Sequence, residues 1–513
     1  MKNTEQLIIK KRKFSLETLC AYVVIALVYF PLINIDRIGT YVYDTAIQIK
    51  IGLDSIEQHR LILKDIYSWH VGLNWIPHET AWYILVGGMY KILGLAGVIL
   101  LTAILIYSMA VIIYRNLSSR CHTLVFFLSM AIGIYFSFPD INARPHLVSQ
   151  LLMVIFSFTM LDKNKSSLRK ISCFIVCAFL MSWFHGGMIP IFFVMYMVYL
   201  IIELIYREFS VVKVYSIGLF IGFVASLLNP TGINVWTYGL IQTKATDLWN
   251  IISGWQPATF SIFGMTLILL ILIGFGVDER LHNFDKDTVI RLCFICMFLI
   301  ASCKYVRFMT YFALFVFMFG AEEIEVLIKW LTKNVLKLRE KEVKITNFSY
   351  GLISCLALVG LVYMFISKIS FFPTNSLDDC AAIMAYDKNV VDVVKEKGYS
   401  NVFNSFNTGT FFAFYDIPVH IDNRSDLYMS EYSGEDHTRG EMYMENIDSM
   451  NRFVNRYNDV GAFIMEFDPR DPATNQLVKD VSESDRFSIV YDNTVVSNTD
   501  LNKAYRWFVI EVN

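Results

Sequence analysis

The chain has 513 residues, 55% of them apolar and 18% charged, with a mean hydropathy of +0.47. Soluble domains carry roughly 45–50% apolar and about 25% charged residues, so much of this surface must meet lipid and a wholly soluble protein is excluded. The net charge of −2 hides a division: of 46 acidic and 44 basic residues, 24 and 12 lie in 370–513, leaving a basic membrane body joined to an acidic tail.

The N-terminus, MKNTEQLIIKKRKFSLETLC, is basic and leads into a long apolar run with no small-residue cleavage site, which reads as a retained first span. Segments of about 20 apolar residues are expected to cross a bilayer. They fall near 15–35, 95–114, 121–138, 146–161, 171–184, 187–206, 211–228, 259–277, 288–303, 305–321 and 348–368. The stretch 81–94, broken by Gly87, Gly88 and Lys91, reads as a re-entrant or interfacial helix. The fold class is therefore mainly α, a polytopic helical bundle of about eleven spans. Lys and Arg cluster before the first span and in alternate turns, ending in the run from Lys329 to Lys344. The excess of positive charge predicts a cytoplasmic N-terminus, with the first loop and the tail extracytoplasmic in a multi-pass protein of the cell membrane.

The opposite set of turns differs in kind. FPDINARPH (138–146), FHGG (184–187), NPTGINVWTYGL (229–240), ISGWQP (252–257) and CKYVRF (303–308) place Asn, His, Arg or Trp beside Gly or Pro. Irregular backbone at membrane depth is tolerated where it is buried in protein or lines a watery cavity, so these breaks predict a cavity on that face. The inner face shows only basic turns. Residues 36–80 form a large polar loop after the first span, holding Asp44, Asp54, Glu57, His59, Asp65, His70, His78 and Glu79 among aromatics. Carboxylates and imidazoles held against a greasy bundle suit an active site.

The first domain is taken as 1–369 and a soluble α/β domain as 370–513. In the latter, VFNSF, FFAFY, VHIDN, AFIMEF, FSIVYD and WFVIEV read as strands, and 381–396 and 442–457 as helices. Of nine cysteines only Cys380 lies in this tail, so it has no internal disulfide; Cys173 and Cys177 lack a zinc-type pairing. No Walker loop, GxSxG elbow, HExxH or dinucleotide fingerprint occurs, and nothing suggests nucleic acid.

Asp44 follows the first span closely and shares a helical face with Gln48, and Asp65-Ile-Tyr-Ser-Trp69 and His78-Glu79 precede the next apolar segment. With Arg144-Pro145, His185-Gly-Gly, Asn229-Pro230, Trp255-Gln-Pro257, Arg307 and His420-Ile-Asp-Asn-Arg-Ser-Asp426-Leu-Tyr428, these elements resemble the GT-C superfamily of integral-membrane glycosyltransferases, in a bacterial branch with an external C-terminal domain. Asn423 stands where that branch has Gly, and Thr80-Ala81 where it has Trp-Leu. The resemblance implies an essential acid in the first external loop and a polyprenyl-phosphate-linked sugar donor. Asp44 is then the expected base, with Asp65 and Glu79 as further catalytic candidates. His78, Arg144, His146, His185, Asn229, Trp255, Lys304 and Arg307 are expected to bind substrate, the arginines taking phosphate because a guanidinium fits its oxygens bidentately. Trp69, Trp75 and Trp255 suit either sugar faces or the interfacial belt. The sequence establishes no cofactor; Mg or Mn is the candidate metal, because Asp44, Asp65, His78 and Glu79 are types that bind such ions. The expected partners are the lipid-linked donor, the membrane and a lipid, glycan or protein acceptor in the cell envelope, with a polysaccharide as one such product. The rival classes are a transporter or flippase of lipid-linked sugars and a non-catalytic assembly protein of envelope polysaccharide.

Overall fold

A computed structural model describes residues 16–32, 42–138, 141–242, 253–335, 381, 385–428, 444, 446–497 and 502–513, with backbone alone at 16–17, 30–32, 42–44, 242 and 253. Each expected span up to residue 321 is helical, because runs of apolar residues satisfy their backbone internally in a bilayer. Leu95–Leu117, Ser167–Phe184, Gly186–Ile205 and Phe209–Ser226 are long and apolar enough to cross a membrane, and shorter apolar helices at Thr18–Tyr29, Thr123–Ser137, His146–Leu161 and Ile262–Val277 accompany them. The expected span at 348–368 lies outside the described residues. The 81–94 stretch is the 14-residue helix Thr80–Leu93, about 21 Å long and too short for the ~30 Å hydrocarbon core. It ends at Gly94, whose φ of 62° lets the chain turn at once into Leu95–Leu117.

The long helix Met309–Asn334 forms the axis of the bundle. Its side chains are buried almost continuously from Met309 to Glu325, and the Thr123–Ser137 helix packs on it. Gly133 permits that approach, since a Cβ there would stand 2.9 Å from the Phe317 Cβ. The bundle end that carries the basic turns is not merely basic. Arg120, Arg280 and Arg291 converge on the buried Glu322 at 3.1, 3.0 and 2.5 Å, and Lys329 pairs with Glu325 at 3.1 Å. The sequence pattern showed the cations of these turns but not the glutamates of a distant helix that neutralise them.

The tail carries a four-stranded sheet of β1 (Val402–Asn404), β2 (Ala462–Phe467), β3 (Phe487–Val496) and β4 (Ala504–Val512), in the order β1-β2-β4-β3. β1 runs parallel to β2 with Phe403 opposite Phe463, and β4 is antiparallel to both neighbours, with Ile464 opposite Val509 and Ile489 opposite Ile510. Alternate residues face opposite sides. Ile464, Trp507 and Val509 join a core continuous with the bundle; Phe463, Met465, Phe508 and Ile510 pack with Met450, Phe453 and Leu477. FFAFY is not a strand. Gly409–Phe414 is a helix that packs on Val42–Glu57, and VHIDN contributes a single bridge rather than a strand. A short run buried on every side carries no period that separates the two conformations.

Within this sheet Glu466 is a half-buried acid. Burial pushes it up to about 7, although the Ser405 hydroxyl donates to its Oε1; Oε2 has no partner among the described residues. A carboxyl group raised in the folded state adds stability while it stays protonated and loses it as pH climbs from its ordinary 4.5 towards 7. The expected loss is on the order of 2–3 kcal/mol across that window. Glu466→Gln should flatten this segment of the pH profile of thermal unfolding. Parallel profiles for the two proteins would show that Glu466 holds no such proton.

Candidate active site

The loop helix Val42–Glu57 begins where the bundle's first irregular turn lies. Thr45 Oγ1 donates to the Ala143 carbonyl at 3.2 Å, so the residues flanking this bond, Asp44 and Arg144, belong to adjoining backbone segments. The Asp44 side chain lies outside the described residues. One turn on, Gln48 Nε2 donates to Glu79 Oε2 at 3.0 Å and Gln48 Oε1 accepts from Trp82 Nε1 at 2.8 Å. The helix lies hard against Thr80–Leu93 because Gly52 faces Gly87: a Cβ on Gly52 would stand 2.0 Å from the Tyr83 carbonyl oxygen.

His78 sits between the loop and the bundle. Its Nδ1 faces the Ile76 carbonyl at 3.1 Å, its Nε2 faces Glu79 at 3.4 Å, and its ring stacks on Tyr238 at 3.7 Å. Both ring nitrogens therefore meet acceptors, which the imidazolium satisfies. Burial opposes that charge, but the hydrogen bond to Glu79 and the nearby Asp426 outweigh it and raise His78. Gly186 N donates to the His78 carbonyl at 2.8 Å, and a Cβ at Gly186 would stand 2.0 Å from Val235 Cγ2. The His-Gly-Gly turn is thus glycine-rich because two segments meet there.

His185, in the turn between two spans, behaves in the opposite way. Its Nδ1 meets Ser149 Oγ at 2.9 Å and Tyr311 Oη at 3.4 Å. Burial first, and then the positive charges of His78, His146 and Arg307, hold it well below the usual imidazole range. That shared field is the sign of convergence: His78, His146, His185 and Arg307 come from four turns distant in sequence.

Arg307 lies over the Trp255 ring at 3.8 Å, and Trp255 meets Tyr305 edge-on at 5.2 Å. The two turns are tied by Val306 N to the Gln256 carbonyl at 2.7 Å. Lys304 is exposed, 5.0 Å above the Tyr305 ring. His146 opens the His146–Leu161 helix and lines a small apolar cavity of about 50 Å³ with Tyr29, Met109, Ile113, Gln150 and Thr310.

Two further candidates make mainly local or loop-to-tail contacts. Asn229 spends its carboxamide on its own turn, donating to Ser226 and Gly232 carbonyls and accepting from Thr231, as an Asn-Pro turn does. The same segment instead delivers Val235 and Tyr238 to the site. Asp65 accepts from Tyr67 N and Ser68 N at 3.2 Å each and pairs with Arg424 at 2.6 Å. That pair belongs to a junction the sequence did not announce. Ser68 and Val419 form a parallel bridge, Trp69 Nε1 donates to the Val402 carbonyl at 2.9 Å, and His70 meets His420 at 2.8 Å. Trp75 is buried beside the Arg424 guanidinium at 5.1 Å, so Trp69 and Trp75 join the loop to the C-terminal sheet and the segment around Arg424. Among the described residues no three His, Cys, Asp or Glu side chains gather as a metal site.

No protein-family model and no curated protein matches the sequence. Solved structures do. An oligosaccharyltransferase of Archaeoglobus fulgidus, in its apo form, superposes with a TM-score of 0.56 at 12% identity, over 88% of this chain and 69% of that one. The oligosaccharyltransferase AglB of the same organism, in complex with an inhibitory peptide and a dolichol-phosphate, gives 0.54 at 12% identity with the same coverage. ArnT of Cupriavidus metallidurans, bound to undecaprenyl phosphate, gives 0.50 at 10% identity over 97% of each chain. The chain has the fold of the GT-C membrane glycosyltransferases and is a multi-pass membrane protein.

Proposed function

We propose that this protein is an inverting GT-C-type glycosyltransferase that takes a sugar from a polyprenyl-phosphate carrier and delivers it to an extracytoplasmic acceptor. The observation that carries this reading is the join of the Val42–Glu57 helix to the turn bearing Arg144 and His146, beside an apolar cavity. An apolar lining that includes His146, two residues from Arg144, suits a lipid phosphate, and ArnT, of like fold, was solved with undecaprenyl phosphate.

In the proposed reaction the acceptor hydroxyl attacks the anomeric carbon from the face opposite the phosphate. The new bond forms to that carbon while the carbon–oxygen bond to phosphate breaks, its electron pair leaving on the phosphate. Asp44 takes the acceptor proton. Arg144 and Arg307 meet the charge that builds on the phosphate, where fixed cations in a partly dry site act most strongly. His185, held neutral among cations, is suited to donate a hydrogen bond there without adding charge. Asp65 positions the loop, and Glu79 holds Gln48 and His78.

Undecaprenyl phosphate is expected to raise the unfolding temperature of the detergent-solubilised protein, by about 2.7 kcal/mol of added stability at 100 times Kd. Arg144→Ala should weaken that binding about 10–100-fold, as loss of a charge-assisted hydrogen bond does. A wild-type protein indifferent to the lipid would end the proposal.

A further inference from the structure

The segment Asp422–Tyr428 of the soluble domain reaches the corner of the site formed by His78 and Glu79. Arg424 fixes it there: its guanidinium takes Asp422 within the segment at 2.6 Å and Asp65 of the loop at 2.6 Å, between the rings of Tyr67 and Trp75. Two residues later Asp426 is only 7% exposed, and its Oδ2 has no hydrogen-bond partner among the described residues. Asn423 Oδ1, in the same segment, likewise has none. A buried carboxylate oxygen unpaired among the described residues is costly, and a ligand's hydrogen-bond donor would relieve that cost. Burial raises Asp426, Glu79 nearby adds to that, and His78 opposes it. The corner holds Asp65, Glu79, Asp422 and Asp426 against Arg424 and His78, an acidic surplus.

We propose that Asp426 is a binding residue contributed by the soluble domain, whose free carboxylate oxygen takes the ammonium group of an amino-sugar acceptor. This rests on the transferase reading above and adds the class of acceptor. A charged donor matches both the surplus of carboxylates and the unpaired oxygen; a neutral hydroxyl matches only the second.

The test titrates full-length detergent-solubilised protein with glucosamine and with glucose, which differ in an ammonium against a hydroxyl. Glucosamine is expected to bind about tenfold more tightly, the difference between a charge-assisted and a neutral hydrogen bond. Asp426→Asn should lose that preference while undecaprenyl phosphate stabilises it as it does the wild type. Equal affinity for the two sugars, binding of neither, or a preference that survives Asp426→Asn overturns the assignment. Should Asp426→Asn not fold, Asp426→Glu keeps the charge and moves it by one methylene; its preference should fall, and an unchanged one overturns the assignment equally. A glucosamine preference in a protein that undecaprenyl phosphate does not stabilise would retain the amine site and remove the transferase.

Discussion

Arg424→Ala is expected to destabilise the C-terminal sheet region and its hold on the loop by about 3–5 kcal/mol, the cost of leaving buried partners uncompensated. The guanidinium is 6% exposed, and the two carboxylates it holds, Asp65 and Asp422, are 4% and 0% exposed. Solvent screening therefore offers little relief. Removing the cation strands both acids in a region that also loses its contacts to Tyr67 and Trp75. The readout is a lower thermal midpoint together with new proteolytic cleavage near Ser68–His70, where the bridge to Val419 holds the loop. The ion pair by itself is not the source of stability. Replacing all three groups, as Arg424→Met with Asp65→Leu and Asp422→Leu, should recover most of the loss, because an apolar trio avoids the desolvation of three charges. If the single variant unfolds like the wild type, the junction is held elsewhere, through Trp69 and the Lys50–Asp416 pair at 2.6 Å.

This junction also marks the limit of what could be read from the chain. The apolar helices were legible because long apolar runs have a plain signature, and Leu95–Leu117, His146–Leu161 and Ile262–Val277 begin and end close to the expected places. Glycine at 186 was legible as a break, though its cause, the approach of the His78 carbonyl and Val235, was not. Asn229 carried an ordinary turn signature that its place in a suggestive motif obscured. Asp65 and Arg424 are 359 positions apart and each follows local patterns that fit a solvated turn equally well. Nothing in hydrophobic periodicity couples such a pair. The same holds for Glu322, whose three arginines come from three separate segments. His78, in the polar loop, and His185, in the irregular FHGG turn, carried the same expectation of substrate binding. Their environments drive them apart: Glu79 and Asp426 raise His78 against its burial, whereas burial and the neighbouring cations lower His185.

Asp44→Asn is the substitution with the largest expected effect on activity. If Asp44 takes the acceptor proton, an amide in its place removes the base while keeping the shape, and transfer from a polyprenyl-phosphate sugar should fall about 10²–10⁴-fold. The neighbourhood argues that little else would change. The helix that carries Asp44 is anchored by Thr45 to Ala143, by Gln48 to Glu79 and Trp82, and by the contact of Gly52 with Tyr83, none of which requires a carboxylate at position 44. Expression, thermal midpoint and stabilisation by undecaprenyl phosphate should therefore match the wild type, because the lipid phosphate is assigned to Arg144 and Arg307. Glu79→Gln gives the contrast. Its carboxylate faces His78 and Gln48, so its loss should shift the pH dependence of transfer by releasing His78 towards its ordinary value rather than abolish the reaction. Full transfer by Asp44→Asn would take the base away from this helix and leave the carboxylates of the His78 corner, Glu79 and Asp426, to supply it.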